Sequence, residues 1–323
     1  MKKIACFIVP YFGKLPNYFQ LFLNSCKSNT NFEWLIITDD DTAYNYPENV
    51  KRKICTFKSF RNKVQKKFDF KIKLESPRKL CDFKPAYGYI LEDELREFPY
   101  WGFCDIDTIM GNLNKLLKID FISNYDKLFC LGHFELFKNN LENNRLFMKD
   151  IDGQYWYKES FTTNKITVFD ETYGSDKNIN TIFIKNNKKI FQEDWSFNPK
   201  ITPTHFQRIV YNYKQKRFID EPYRKSICIW DGNNIYRYLF DKHNRIERKE
   251  YLYVHLQQRK MKLKKNVQDA DAFTIIPNEF IPMNNRKVKN NNYIRSLKRN
   301  AFTLHHLRVW WHWNISVKIK NKE

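Results

Sequence analysis

The chain has 323 residues, with 57 Lys and Arg against 36 Asp and Glu, a formal net charge of +21 and 42% hydrophobic residues. This hydrophobic share can build a substantial core, so global disorder is excluded, and the length fits one large or two medium-sized domains. None of the eight glycines forms the G-x-G-x-x-G or P-loop pattern, which excludes those two phosphate-binding motifs. No apolar run approaches the roughly 20 residues that span a bilayer.

The first predicted elements alternate between strand and helix. Residues 4–9 form a buried strand, a helix with apolar residues at three- and four-residue steps follows Pro16, and residues 33–38 form a second buried strand that ends in three aspartates. Strand, helix, strand with acidic residues at the carboxyl end is typical of a parallel α/β sheet, in which ligands collect beyond the carboxyl ends of the strands.

The remaining predicted elements continue this alternation. They are a basic helix at 60–68, a helix beginning near Pro85, a strand at 101–104, a helix capped by Asn112, a strand at 127–131 and a strand at 251–256. We therefore expect an α/β fold with a mixed, mainly parallel sheet flanked by helices.

An acidic pair, Asp105 and Asp107, follows the apolar strand at 101–104 and precedes Gly111. In extended backbone, side chains two residues apart project to the same side, and two carboxylates are the hard oxygen ligands that Mg²⁺ or Mn²⁺ prefers. The alternative is a solvated turn at a strand edge. The same spacing without this apolar context recurs at Asp39/Asp41, Asp150/Asp152 and Asp269/Asp271.

In this order and context the sequence resembles the nucleotide-sugar-dependent glycosyltransferases of the GT-A fold, and most of all the bacterial capsule and lipopolysaccharide type. The likeness covers about residues 1–265. It rests on the segments 8–13, 36–39, 79–88, 101–113 and 253–261.

The resemblance implies a metal-dependent donor site. Asp105 and Asp107 would hold Mn²⁺ or Mg²⁺, with His255 as a third ligand, although His255 could instead be a hydrogen-bonded core histidine. The residues that would contact the nucleotide-sugar donor are Pro10, Tyr11, Asp39, Asp82, Lys84, Arg259 and Lys260.

The catalytic base is sought among carboxylates near apolar segments, because an inverting transfer needs a group that deprotonates the acceptor hydroxyl. Asp170 and Glu171, between an apolar dipeptide and Tyr173, are the first candidates. The alternative is the pair formed by Glu193 and Asp194. A retaining enzyme would not use a base in this way, and both stereochemistries stay open.

A basic tail follows the predicted catalytic domain, to which we assign residues 1–281. Residues 242–323 contain nineteen Lys and Arg against six Asp and Glu, and the tail at 282–323 combines an apolar helical stripe with three tryptophans. Cations and tryptophans favour the surface of anionic membranes, so we expect a helix lying in the membrane interface. The alternative is an amphipathic helix packed on the catalytic domain.

The expected function is transfer of a sugar from a nucleotide-sugar donor to a lipid-linked or polysaccharide acceptor in bacterial surface glycan biosynthesis. The expected location is cytoplasmic and peripheral, on the inner face of the cell membrane. Two alternatives stay open: a nucleic-acid-binding protein with a basic, aromatic surface, and a sugar nucleotidyltransferase. We expect no nucleic-acid partner, because carboxylates at the sheet edges would repel a phosphate backbone.

Overall fold

The computed structural model describes residues 3–202, 205–241, 243, 245–257, 259–283 and 304–312. Its strands are β1 (Ala5–Tyr11), β2 (Phe32–Thr38), β3 (Val50–Ile54), β4 (Tyr100–Cys104), β5 (Thr108–Met110), β6 (Lys127–Leu131), β7 (Phe134–Lys138), β8 (Ile190–Phe191), β9 (Ser196–Phe197), β10 (Ile209–Asn212), β11 (Arg217–Asp220), β12 (Lys225–Trp230), β13 (Ile235–Phe240), β14 (Ile246–Tyr251), β15 (Tyr253–His255), β16 (Lys262–Leu263), β17 (Phe273–Ile276) and β18 (Glu279–Pro282). Its helices are α1 (Phe19–Lys27), α2 (Phe57–Gln65), α3 (Leu80–Phe83), α4 (Tyr87–Ile90), α5 (Glu92–Leu95), α6 (Leu113–Leu116), α7 (Ile119–Ile122), α8 (Leu141–Arg145), α9 (Trp156–Phe161), α10 (Ile179–Lys185) and α11 (Leu304–Trp311).

The chain divides into two compact units. The first comprises Met1–Leu15, Asn29–Ile106 and Leu113–Asp194, and the second comprises Pro16–Ser28, Asp107–Asn112 and Trp195–Glu323. The chain therefore passes from the first unit to the second between the two aspartates of the predicted metal pair.

The first unit is built on a seven-stranded sheet in the order β3-β2-β1-β4-β7-β6-β8. β1 pairs in parallel with β2 and β4, and the β2–β3 and β6–β8 pairs are also parallel. β7 runs antiparallel to both β4 and β6. The α/β fold with a mixed, mainly parallel sheet is thus confirmed.

The inner strands of this sheet are apolar because both of their faces are covered. The first five residues of β1 and all five of β4 are buried, which is typical of parallel strands packed between helices. The strands predicted at 4–9, 33–38, 101–104 and 127–131 are all present. Asp39 follows β2 and Asp105 follows β4, so the predicted acidic residues do lie at carboxyl ends of strands.

The helix predicted from Pro85 is not continuous. A 3₁₀ turn at Lys84–Ala86 is followed by α4 and α5, and Leu91 between them leaves helical geometry with ψ at 30°. A β-carbon at Gly88 would lie 2.3 Å from the Trp101 ring, so close packing against β4 requires a glycine there. Glycine is a poor helix former, which agrees with the broken helix.

The second unit contains a six-stranded sheet in the order β14-β13-β12-β17-β18-β16, which the sequence analysis did not predict. β12, β13 and β14 form an antiparallel meander. A three-stranded sheet in the order β5-β15-β9 accompanies it. The single strand predicted at 251–256 is in fact the end of β14 followed by β15, because the chain changes sheets at Leu252.

Helix α11 lies in the predicted tail, of which residues 282–283 and 304–312 are described. Leu304, Leu307 and Trp311 are 67%, 40% and 54% exposed. Residues 284–303 and 313–323, on which most of the tail prediction falls, lie outside the described residues. Within the described residues no helix is both long and apolar enough to cross a membrane.

Candidate active site

A lysine ammonium in the first unit lies among three oxygen atoms. Lys84 Nζ donates to Asp105 Oδ1 at 2.7 Å and to the Gly132 carbonyl at 2.6 Å, and it lies 3.4 Å from Asp170 Oδ2. Asp105 follows β4, Gly132 connects β6 to β7, and Asp170 precedes α10. The Lys84 ammonium thereby contacts three segments that are distant in the sequence. Asp105, predicted as a metal ligand, and Asp170, predicted as the catalytic base, belong to the same cluster.

The protonation of this cluster is set by burial and by neighbouring charge. Burial raises the pKa of Asp170 well above its ordinary value, Lys84 opposes the shift, and the nearby carboxylates of Glu171, Glu135 and Asp105 add to it. Burial acts to lower the pKa of Lys84, but Asp105 and Asp170 outweigh it and the net shift is upward. Lys84 is therefore a permanent cation, and Asp170 takes up a proton at a higher pH than an exposed aspartate would.

Gly132 is needed for this arrangement. A β-carbon at this position would lie 2.5 Å from Asp170 Oδ2, closer than any real contact allows. Its N–H donates to Glu171 Oε2 at 3.2 Å.

In the second unit, Asp107 and His255 face each other. His255 Nε2 lies 3.4 Å from Asp107 Oδ1, and both side chains are largely buried. The antiparallel pairing of β5 with β15 sets Thr108 opposite His255, and the Leu256 N–H donates to the Asp107 carbonyl at 2.7 Å. The other ring nitrogen, Nδ1, is 3.2 Å from Asn198 Oδ1. The carboxylate of Asp107, two residues after Asp105 in the chain, thus lies close to an imidazole nitrogen of His255.

The chain matches one protein-family model over most of its length. The family model described as "Family of unknown function (DUF6625)" matches residues 7–284, which is most of the chain. The chain belongs to this family. No curated protein matches it.

Several solved structures are similar to this DUF6625 member at low identity. The galactosyltransferase LgtC shares 11% identity with a TM-score of 0.33, covering 61% of this chain and 77% of LgtC. The apo glycosyltransferase GlyE of Streptococcus pneumoniae TIGR4 shares 13% with a TM-score of 0.34, covering 61% and 47%. Mouse xyloside xylosyltransferase 1 shares 8% with a TM-score of 0.34, covering 61% and 88%.

The residues predicted to line the nucleotide lie at the carboxyl ends of β1 and β2. Asp39 Oδ1 accepts from the Gly13 N–H at 2.7 Å, so its carboxylate fastens the loop that follows β1. Pro10 and Tyr11 are partly exposed at the end of β1. Tyr11, Pro10 and Asp39 are thus near one another along two adjacent strands, because Tyr11 pairs with Thr38.

Asp82 and Arg259 were also predicted to contact the nucleotide-sugar donor, but their surroundings do not favour this role. Asp82 is fully buried, receives Lys79 Nζ at 2.6 Å and accepts from the backbone N–H groups of Thr167 and Phe169. These contacts tie α3 to the segment before Asp170. The Asp82 carboxylate is therefore used inside the first unit, which accounts for it without a ligand.

Arg259 is also buried, at 2% exposure. Its guanidinium donates to the carbonyls of Lys200, Thr202 and Pro277 at 2.6, 3.1 and 2.9 Å. Burial lowers its pKa to about 9. The side chain joins segments of the second unit rather than facing solvent, whereas Lys260 beside it is exposed.

Proposed function

We propose that this protein is a metal-dependent glycosyltransferase that uses a nucleotide-sugar donor. The observation that carries the proposal is the convergence of Asp107 Oδ1 and His255 Nε2, 3.4 Å apart, just after the strand end that carries Asp105. The sequence resemblance proposes the same three residues as ligands of one ion.

The donor set fits Mn²⁺ or Mg²⁺. Two carboxylates and one imidazole are hard to borderline ligands, which suit these ions better than soft metals. Asn198 occupies the second nitrogen of His255, as expected for a metal-binding histidine. The ion would neutralise charge that develops on the departing diphosphate.

The resemblance assigns further residues to the nucleotide-sugar donor. Pro10, Tyr11 and Asp39 would line the base and ribose of the donor, and Lys84 would face the donor phosphates while pairing with Asp105. Lys260, an exposed cation after β15, would meet the diphosphate oxygens. Asp82 and Arg259 are left out of this proposed donor site because the protein itself uses their polar groups.

Asp170 is the base that we favour for an inverting transfer. Its raised pKa moves it toward the operating pH, where a general base is most efficient, and Glu171 is already held by the Gly132 N–H. Proton transfer from an acceptor hydroxyl to Asp170 would accompany attack on the anomeric carbon. If the transfer retains configuration, this role is not required.

The acceptor that we propose is a lipid-linked glycan at an anionic membrane surface, in bacterial surface glycan biosynthesis. Leu304, Leu307 and Trp311 lie at steps of three and four residues, so they share one face of α11, and all three are exposed. Arg308 adds a cation beside them. An exposed apolar stripe with basic neighbours suits a helix that lies in the membrane interface.

The experiment is a panel of nucleotide sugars assayed by release of nucleoside diphosphate, with and without Mn²⁺. We expect Mn²⁺-dependent release with at least one donor, and a loss of at least about 100-fold in Asp107→Asn, because metal catalysis is worth several kcal/mol. Asp269→Asn is the matched control, since Asp269 belongs to an exposed pair of the same spacing in the second unit.

The alternatives predict other results. Release of pyrophosphate instead of nucleoside diphosphate would point to a nucleotidyltransferase. Nucleic-acid affinity that stays level or rises in Asp107→Asn, with no donor turned over by the parent protein, would contradict the proposal.

A further inference from the structure

Asn198 lies beside His255 because of the strand register in the second unit. β9 pairs in parallel with β15, with Ser196 opposite Tyr253 and Phe197 opposite Val254. The next residues in this register are Asn198 and His255. Asn198 is 2% exposed, so a nearly buried amide stands next to the imidazole.

The amide oxygen of Asn198 receives two donors. His255 Nδ1 lies 3.2 Å from Oδ1, and Gln257 Nε2 donates to the same atom. An amide oxygen only accepts hydrogen bonds, so the contact requires a proton on His255 Nδ1. In the neutral ring, the lone pair is then on Nε2, the nitrogen that faces Asp107.

We infer that Asn198 is a positioning residue that fixes the tautomer and ring orientation of His255, so that Nε2 is available as a metal ligand. This inference rests on the proposed function for the identity of the ligand site, but not for the tautomer. Partners of a ligating histidine's second nitrogen hold the ring and raise its basicity, which is the role the geometry points to.

The segment that carries Asn198 is itself held firmly. The Asn198 carbonyl accepts from the Ile209 N–H at 2.9 Å. Arg259 then binds the carbonyls of Lys200 and Thr202, two and four residues further on. A guanidinium presents its donors in a rigid plane, so one side chain holds both carbonyls in register. The buried Arg259, predicted from sequence to bind diphosphate, thus braces the strand end that orients the histidine.

The test uses the full chain labelled with ¹⁵N-histidine, with the His255 signals assigned by their loss in His255→Gln. At about pH 8.5, well above the ordinary imidazole pKa of about 6.5, we expect the metal-free protein to show the Nδ1–H tautomer. Asn198→Leu should shift His255 toward a mixture or to Nε2–H, whereas Asn198→Asp, which keeps an oxygen acceptor, should retain Nδ1–H.

Binding of Mn²⁺, measured from the free-ion electron paramagnetic resonance signal, gives the second readout. We expect Asn198→Leu to weaken Mn²⁺ binding about 10- to 100-fold, and Asn198→Asp to stay near the parent affinity or to bind more tightly. Asn234→Leu is the control, because its side chain contacts Asn112 and Asp231 in the same unit. Both readouts should be unchanged in it.

The outcomes separate the two claims. A parent protein with Nε2–H at His255, or Asn198→Leu with an unchanged tautomer, would overturn the positioning role whether or not the protein binds Mn²⁺. A parent protein that shows Nδ1–H but binds no Mn²⁺ would support the tautomer assignment while the proposed metal-dependent function fails. Equal losses of Mn²⁺ affinity in Asn198→Asp and Asn198→Leu would indicate a merely structural effect and would also overturn the inference.

Discussion

Lys84 places one ammonium group against two carboxylates, Asp105 and Asp170, and thereby sets the charge of the cluster in the first unit. Asp170 is 3% exposed, so without this cation its ionised form would lack a compensating charge. Because Asp105 has the shorter contact with Lys84, at 2.7 against 3.4 Å, Asp170 is the less tightly held of the two acids.

The pH dependence of the reaction should report Asp170 if it is the base. Its pKa is raised by burial, so the carboxylate needed for proton abstraction is lost as the pH falls through this raised value. We expect nucleoside diphosphate release to decrease toward acidic pH in the parent protein, and Asp170→Asn to reduce it about 100- to 10,000-fold at the parent's optimal pH and to lose this acidic decrease.

Glu171→Gln is the matched comparison for this experiment, because Glu171 is adjacent in the chain and bonds the Gly132 N–H. It should change the rate by only a few fold and keep the acidic limb of the profile. A larger loss in Glu171→Gln than in Asp170→Asn would transfer the proposed role to Glu171. Two small losses would point to a retaining transfer or to another base.

The β6–β7 pair contains an ion pair that water does not reach. Lys127 Nζ and Glu135 Oε2 are 2.8 Å apart, both side chains have zero exposure, and Lys127 also donates to the Phe129 carbonyl. Burial raises the pKa of Glu135 to about 7, although Lys127 opposes the shift. This pair joins neighbouring strands next to the loop that carries Gly132.

Removing one partner should cost far more than removing both. Lys127→Met leaves a buried carboxylate without its cation, so we expect the free energy of unfolding to fall by about 3–5 kcal/mol near neutral pH. The double variant Lys127→Met/Glu135→Leu replaces the pair by apolar groups and should lie within about 1–2 kcal/mol of the parent. Urea unfolding followed by circular dichroism measures both.

The titration of Glu135 also predicts how the stability of the fold changes with pH. Glu135 has a folded-state pKa of about 7 against an ordinary value of 4.5, so the folded state binds more protons between these values. Its contribution therefore makes stability fall as pH rises from 4.5 to 7. The double variant should lose that slope. A slope that persists unchanged would assign the titration to a different group.

Charge is distributed unevenly along the whole molecule. Residues 242–323 hold an excess of thirteen positive charges out of the net +21, although they are about a quarter of the chain. The tail beyond Met283 contains ten Lys and Arg and one acidic residue. Basic residues near an anionic bilayer contribute about 1 kcal/mol each, so this segment can dominate any membrane affinity.

Truncation after Met283 should release the protein from vesicles that contain anionic lipid, as measured by co-sedimentation at low and at physiological salt. A second variant, Leu304→Ser/Leu307→Ser/Trp311→Ser, keeps every charge and removes the exposed apolar face of α11. We expect it to weaken binding without abolishing its salt dependence. Full binding by the truncated chain would contradict the proposed membrane surface.

Local patterns were sufficient for part of the fold and part of the site. Runs of mostly apolar residues predicted β1, β2, β4 and β6, because strands covered on both faces carry mainly apolar side chains. The second sheet was missed, although Asp231-Gly232 between two apolar segments is a hairpin signal that could have revealed the β12–β13 turn. The need for a glycine at Gly88 and at Gly132 could not be predicted, because it arises from the nearby side chains of Trp101 and Asp170.

The sequence by itself determined the mainly parallel α/β sheet and the position of Asp105 and Asp107 at a strand end, since both follow from residue order and apolar runs. Only the tertiary structure decided that Lys84 joins Asp105 to Asp170, that Arg259 is buried among carbonyls, and that Asn198 lies beside His255. Sequence separations of 21 to 86 residues close only when the chain folds and its strands pair, and nothing local to an asparagine or arginine encodes which neighbours that pairing will bring.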